Sequence, residues 1–170
     1  SWLVDVQAFR QGRGHRLDDL RPLLDVFTDP SILKILHAAQ GDQECLYTAF
    51  GIVASPSLDT AVAGSLLGYG ENIGLGNLTK SVLGVTLKKG HGRTNWSTRP
   101  LPAQLLEYAH GDVEFLVQMG KILIEELEKK GRKAWAFEQS KEWEDKKKYE
   151  SDPEAMALRL AKGGRLDNRG

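Results

Sequence analysis

Apolar residues recur at helical spacing over much of the chain, and short apolar runs interrupt them towards its start. The longest helical pattern opens at Arg99-Pro100-Leu101-Pro102, where prolines suit a first turn. Leu101, Leu105, Leu106, Ala109, Val113 and Leu116 fall on one face of it and predict a buried stripe. From Val113 to Lys130 the pattern continues that helix or starts a second, ending at Gly131. Upstream, leucines at 17, 20, 23 and 24 predict a helix closed by Asp29-Pro30. Gln43 to Phe50 predicts another, ended by Gly51, and residues 61–67 a small-residue helix after Leu58-Asp59-Thr60. A glycine-rich loop, 68–76, separates that from a helix marked by Leu75, Leu78, Val82 and Leu83 and stopped by Gly84.

Three runs read as strands: Trp2 to Val6, Ser31 to His37 and the brief Ile52-Val53-Ala54. The second is largely apolar and so expected to be central. Early strands with interleaved helices predict an α/β layered domain. The end of the chain differs in character. Lys133 to Glu150 is highly charged with Trp135, Phe137 and Trp143 interspersed, which predicts an amphipathic helix whose Glu142, Glu144 and Asp145 form a solvated face. A short helix is expected from Asp152 through Leu160, and Gly163-Gly164 reads as a linker. The expected division is 1–131 for the main domain and 132–170 for a helical extension leading towards a further helical domain.

Composition narrows the class. The 170 residues are 41% hydrophobic and 27% charged, which suits a folded domain. Formal net charge is zero, so any site for a polyanion must be a local patch. One such patch runs from Leu87 to Arg99, with Lys88, Lys89, His91, Arg93 and Arg99 around Trp96. Trp96 itself is expected in the core. Cys45 is the single cysteine, so no intramolecular disulfide can form, and its helical setting predicts a small buried side chain. No apolar run approaches the ~20 residues that span a bilayer, and no signal peptide is evident. A cytoplasmic location and no membrane partner are the expectations. The chain opens at Ser1 and enters a strand at once, which suggests that its natural N-terminal part precedes it.

Candidate chemistry rests on two carboxylates. Tyr108 and Asp112 are four residues apart, so on a helix their side chains lie one above the other. A phenol and a carboxylate pointing into one space suit a metal ion beside a polarised water. The ordinary alternative is a boundary tyrosine and a solvated aspartate. Asp42 lies where a strand gives way to a helix, the place where ligands gather in open α/β sheets; its ordinary role there is a helix N-cap. Asp59, just before a helix, has the same alternative.

Leu36-His37-Ala38-Ala39-Gln40-Gly41-Asp42-Gln43-Glu44, then Leu58-Asp59-Thr60, then Arg93 to Leu101 and Tyr108-Ala109-His110-Gly111-Asp112, together resemble ribonuclease D. More broadly they resemble the 3′–5′ exonucleases with four acidic residues and an active-site tyrosine. The likeness covers roughly residues 30 to 130. It implies a ribonuclease H-like α/β fold with a central mixed sheet, and hydrolysis at single-stranded RNA 3′ ends, with DNA as the alternative. It also implies two divalent metal ions, Mg²⁺ or Mn²⁺. Carried over, Asp42 and Asp112 are metal ligands and catalytic, and Tyr108 orients the attacking water. Lys88, Arg93 and His37 are candidate substrate contacts, and Asp59 resembles the Asp-Thr pair near the family's site. A histidine base of the related type would stand five residues before Asp112, where this chain has Glu107; His110 is expected at the surface.

The departure lies in the first block of that family, an Asp-x-Glu on the first strand. Asp5-Val6-Gln7 matches it poorly, because Gln7 is neutral and Asp5 lies close to Asp42 in sequence. The expectation is an exonuclease domain without its first strands and inactive as this chain. The alternative is a catalytically degenerate nucleic-acid-binding module of the same fold.

Overall fold

The computed structural model describes residues 3–6, 17–88 and 94–150. A 3₁₀ turn, Leu17–Leu20, leads into α1, Arg21–Thr28, which stops at extended Asp29. Strand β1 is Lys34–Leu36, α2 is Gln40–Phe50, β2 is Ser57–Asp59 and α3 is Thr60–Leu67. The strands pair in parallel, Lys34 with Ser57, Ile35 with Leu58 and Leu36 with Asp59. A parallel pair needs a crossover connection, and α2 supplies it. Then follow α4, Leu75–Leu83; α5, Ala103–Glu114; α6, Leu116–Lys129; and α7, Lys133–Ser140, with two 3₁₀ turns, Lys141–Glu144 and Lys146–Lys148.

The core forms where α6 lies under α3 and the sheet. Met119, Leu123 and Leu127 recur every fourth residue on α6, all fully buried, and meet Leu58, Ala63, Leu67, Leu78 and Ala136. Each buried leucine contributes roughly 1.5–3 kcal/mol relative to exposure. Gly120, on the same helix, lets α6 approach β1 closely: a Cβ there would stand 2.6 Å from Ile35 Cδ1. Gly51, Gly68 and Gly84 end α2, α3 and α4 in the left-handed region, as their positions after the periodic runs predict.

Several expectations are corrected. Leu3 to Asp5 form no strand, and Trp2 lies outside the described residues. The described part of the sheet is the parallel pair β1-β2 with helices packed around it, consistent with the expected α/β domain. Ile52-Val53-Ala54 is loop, because the Gln43 amide takes the Ala54 N–H at 2.7 Å and donates to its carbonyl at 2.9 Å, bonds a neighbouring strand would otherwise make. Helix α2 begins at Gln40, three residues early, so Asp42 sits inside its first turn and is not the N-cap. The predicted stripe on α5 keeps only Leu105 buried; Leu106 and Val113 are 43% and 46% exposed, since the chain turns at Phe115 and α6 takes over the core. Cys45 is exposed.

The last segment packs rather than coats. Ala136 enters the core, and Glu144 accepts the Ser57 N–H (2.7 Å), the Ser57 hydroxyl (2.8 Å) and the Ser55 hydroxyl (2.7 Å). Glu144 is therefore not part of a solvated face. Lys34 is also buried; its ammonium donates to the Asp29 carbonyl at 2.8 Å and the Ser55 carbonyl at 2.5 Å, and desolvation draws its pKa down. No helix among the described residues is long and apolar enough to cross a membrane. The expected helix of 152–160 and the linker at 163–164 lie outside the described residues.

Candidate functional site

Parallel strands end side by side, and the site is built on that shared end. Beyond Leu36, the turn His37-Ala38-Ala39 delivers the chain into α2. Ala38 has φ 53°, a left-handed conformation that costs a non-glycine residue about 1–3 kcal/mol and persists only when neighbours hold it. The holder is Asp59, at the end of β2. Its Oδ1 accepts the N–H of Ala38 (2.9 Å) and of Ala61 (2.8 Å), and its Oδ2 accepts that of Ala39 (2.8 Å). Beside it, the Thr60 hydroxyl donates to the Leu36 carbonyl at 2.9 Å and lies 2.9 Å from His37 Nδ1.

Asp42 follows on the first turn of α2, where the partial positive charge of the helix start favours a carboxylate. Solvent reaches it, yet protein atoms crowd its carboxyl group. That desolvation, with the Asp59 charge in second place, pushes its pKa up. Asp112 on α5 is half-buried and pushed up by desolvation alone. Both aspartates line one cleft of about 890 Å³, together with His37, Cys45, Leu75 and Val113. Burial holds the His37 imidazole below its ordinary pKa, while the Asp59 charge and a backbone bond to Ile73 act the other way.

Asp112 also faces a second cleft of about 460 Å³, whose walls include Tyr108, Lys88, Lys80 and Asn77. Tyr108 and Asp112 thus share a helix face, as their spacing predicts. Trp96 is half-buried, not core; its ring stands 6.1 Å from the Tyr108 ring at 50°. Arg99 fixes the turn that carries Trp96. It donates to both Asp5 oxygens (2.7 and 2.8 Å) and, through Nη1, to the Trp96 and Thr98 carbonyls. Lys88 lies at the rim of this cleft and is paired with Glu107 at 2.5 Å, a bond that holds the Glu107 carboxyl below its ordinary value. His110 is exposed, 3.7 Å from Glu114. Arg93 lies outside the described residues.

The structure thus brings Asp42, His37 and Asp112 to one cleft and Asp112, Tyr108 and Lys88 to the next. Two carboxylates crowded by protein atoms, with pKa values raised rather than lowered, are oxygen donors fit for a hard divalent cation. Among the described residues there is no group of three or more His, Cys, Asp or Glu side chains placed to hold a metal. Sequence reasoning missed Thr60 as a partner of His37 and Glu107 as a partner of Lys88. It held Asp59 as either a helix cap or the counterpart of the Asp-Thr pair near the family's site; the cap is right for Ala61, and the same carboxylate also reaches Ala38 and Ala39.

A family model described as 3′–5′ exonuclease matches residues 5–128. Ribonuclease D of Sphingobium indicum is 42% identical over 143 residues, 84% of this chain and 37% of that protein. The chain spans little more than a third of the length of the curated relatives it matches. Among solved structures, Escherichia coli RNase D, an exoribonuclease involved in structured RNA processing, superposes with a TM-score of 0.73 and 32% identity, covering 78% of this chain and 35% of that one. Brucella melitensis NrnC bound to pGG gives 0.68 at 30% identity over 77% of this chain and 67% of that one; the same protein with bound Mg²⁺ gives 0.67 at 29%, with the same coverage.

Proposed function

The chain belongs to the 3′–5′ exonuclease family, and from that premise we propose that it is the exonuclease domain of a ribonuclease D-like exoribonuclease acting on single-stranded RNA 3′ ends. The observation that carries the reading is the position of Asp112, which shares one cleft with Asp42 and the adjoining one with Tyr108 and Lys88. Asp42 and Asp112 would hold the divalent cations, Mg²⁺ or Mn²⁺, two in number. Bound there, such ions make a nucleophile of water at neutral pH and stabilise the leaving oxygen. The Mg²⁺-bound NrnC structure supports the cation, and its pGG-bound form supports an RNA 3′ end as ligand.

The chain's own residues do the rest. Tyr108, its ring beside Trp96 and sharing a cleft with Asp112, orients the attacking water. Lys88 and Arg93 neutralise phosphates. His37, whose burial disfavours the charged ring, contacts the substrate from the lining of the Asp42 cleft. Asp42 and Asp112 are two of the four carboxylates that the resemblance implies, and our reading is that the 170-residue chain is inactive by itself. A cytoplasmic location belongs to the same reading, in keeping with the exposed Cys45 thiol.

A second reading is a nucleic-acid-binding module without catalysis. The observation favouring it is that no larger acidic cluster occurs among the described residues. One assay separates the two. The 170-residue chain and the intact gene product are titrated with Mn²⁺ on 5′-labelled single-stranded RNA, with DNA in parallel. Stepwise shortening by the intact protein supports the exonuclease. Binding with no shortening by either supports the module.

A further inference from the structure

Asp59 makes more bonds than a helix cap needs. An N-cap carboxylate serves the first N–H groups of its own helix, and Ala61 alone meets that need here. The other two N–H donors, Ala38 and Ala39, lie 21 and 20 residues back, on the turn after the neighbouring strand. Thr60 behaves the same way: its hydroxyl serves Leu36 and His37, not α3. Every surplus bond of the pair ends on residues 36–39. That turn sets the direction of the His37 ring and starts α2, whose first turn carries Asp42. The pair is itself anchored from behind, because the Asp59 N–H donates to Ser140 Oγ at 3.0 Å, and that hydroxyl donates to the Ala136 carbonyl in the core at 2.7 Å.

We infer that Asp59 and Thr60 are positioning residues of the nuclease site, holding the 36–39 turn so that His37 and Asp42 face the cleft wall formed by Asp112. The inference rests on the reading of Asp42 and Asp112 as cation ligands. The side-chain chemistry is specific. Asparagine at 59 would turn one accepting oxygen into an NH₂ group facing a backbone N–H. Valine at 60 removes both bonds of the hydroxyl at nearly constant volume, whereas serine keeps them.

The test compares Asp59→Asn, Thr60→Val and Thr60→Ser in the intact protein. Backbone amide shifts of residues 37–42 report the turn, Mn²⁺-induced broadening of the same amides reports metal affinity, and kcat and KM are measured on single-stranded RNA. Thr60→Val is expected to move the shifts, and to weaken Mn²⁺ binding and lower kcat by about 10–100-fold, as loss of supporting partners does at other metal sites. Thr60→Ser restores all three readouts. Asp59→Asn goes the same way and further; if it does not fold, the position-60 pair decides. Unmoved shifts in Thr60→Val, or moved shifts with Mn²⁺ affinity and kcat unchanged, would overturn the inference. An unsubstituted protein that neither binds Mn²⁺ nor cleaves RNA would instead remove the functional reading, and the inference with it.

Discussion

Glu144 accepts both the backbone N–H and the hydroxyl of Ser57 through a single oxygen, at 2.7 and 2.8 Å, across 87 residues of sequence. Its other oxygen accepts the Ser55 hydroxyl. The end of the described chain is thereby tied to the first residue of β2, two positions before Asp59. Glu144→Ala would leave the buried Ser57 donors without this acceptor. Bonds to a charged group contribute about 1.5–3 kcal/mol each, and a stranded buried donor costs about 1–3 kcal/mol. A loss of about 2–4 kcal/mol is expected by urea denaturation. An unchanged midpoint would show that water replaces the carboxylate.

Asp42 and Asp112 give a paired prediction about activity and stability. Desolvation raises both pKa values, so the folded protein holds these protons to higher pH than the unfolded chain does. Stability from these groups is fullest below the unfolded value of about 3.9 and falls as pH rises through that value to the raised folded one. Asp112→Asn is therefore expected to raise Tm at pH 7, with the gain vanishing near pH 3. Activity, read in the intact protein, moves the other way and drops by more than the ~10–100-fold typical of lost supporting partners. A variant that loses Tm and keeps its nuclease rate would assign Asp112 a structural role.

Tyr108→Phe keeps the ring that Trp96 packs on and deletes only the hydroxyl. Misplacing a reacting water by about 1 Å costs on the order of 10²-fold, and in the intact protein kcat is expected to fall by that much with Tm within a degree of the parent. A rate equal to the parent's would exclude the phenol from orienting water.

The Lys88–Glu107 pair sets two outcomes for RNA binding. Lys88→Ala is expected to weaken binding and to reduce the slope of log Kd against log salt by about 0.7, one phosphate contact on a single strand. Glu107→Gln frees Lys88 from its partner and should tighten binding. Opposite signs for these two variants support the contact; equal and null effects would place Lys88 off the RNA path.

Gly120 is a packing prediction. A methyl group there would meet Ile35 Cδ1 at 2.6 Å and Cγ2 at 2.9 Å, so Gly120→Ala should cost about 1–3 kcal/mol. Adding Ile35→Val, which trims the clashing atom, should recover part of that loss. Additive losses in the double variant would show that the two residues do not compete for one space.

The sequence by itself determined the helices, because their faces and stops are local. Proline sits in the first turn of α1, and Gly51, Gly68 and Gly84 follow the last turns of α2, α3 and α4. It also determined that Tyr108 and Asp112 share a face, since a helix leaves residues four apart no other choice. Tertiary structure alone decided which faces are buried. The stripe on α5 lost its core to α6, where Gly120 permits a closer approach to Ile35 than any residue with a side chain would. Strand positions were equally non-local, because Ala54 found its partners on Gln43 rather than on another strand. The same holds for the site: Asp59 looked like a cap from its neighbours, and became a clamp only because parallel pairing set its carboxylate opposite the turn at Ala38. A hydrogen bond between residues twenty positions apart has no local signature, and it forms only when the fold brings donor and acceptor within 3 Å.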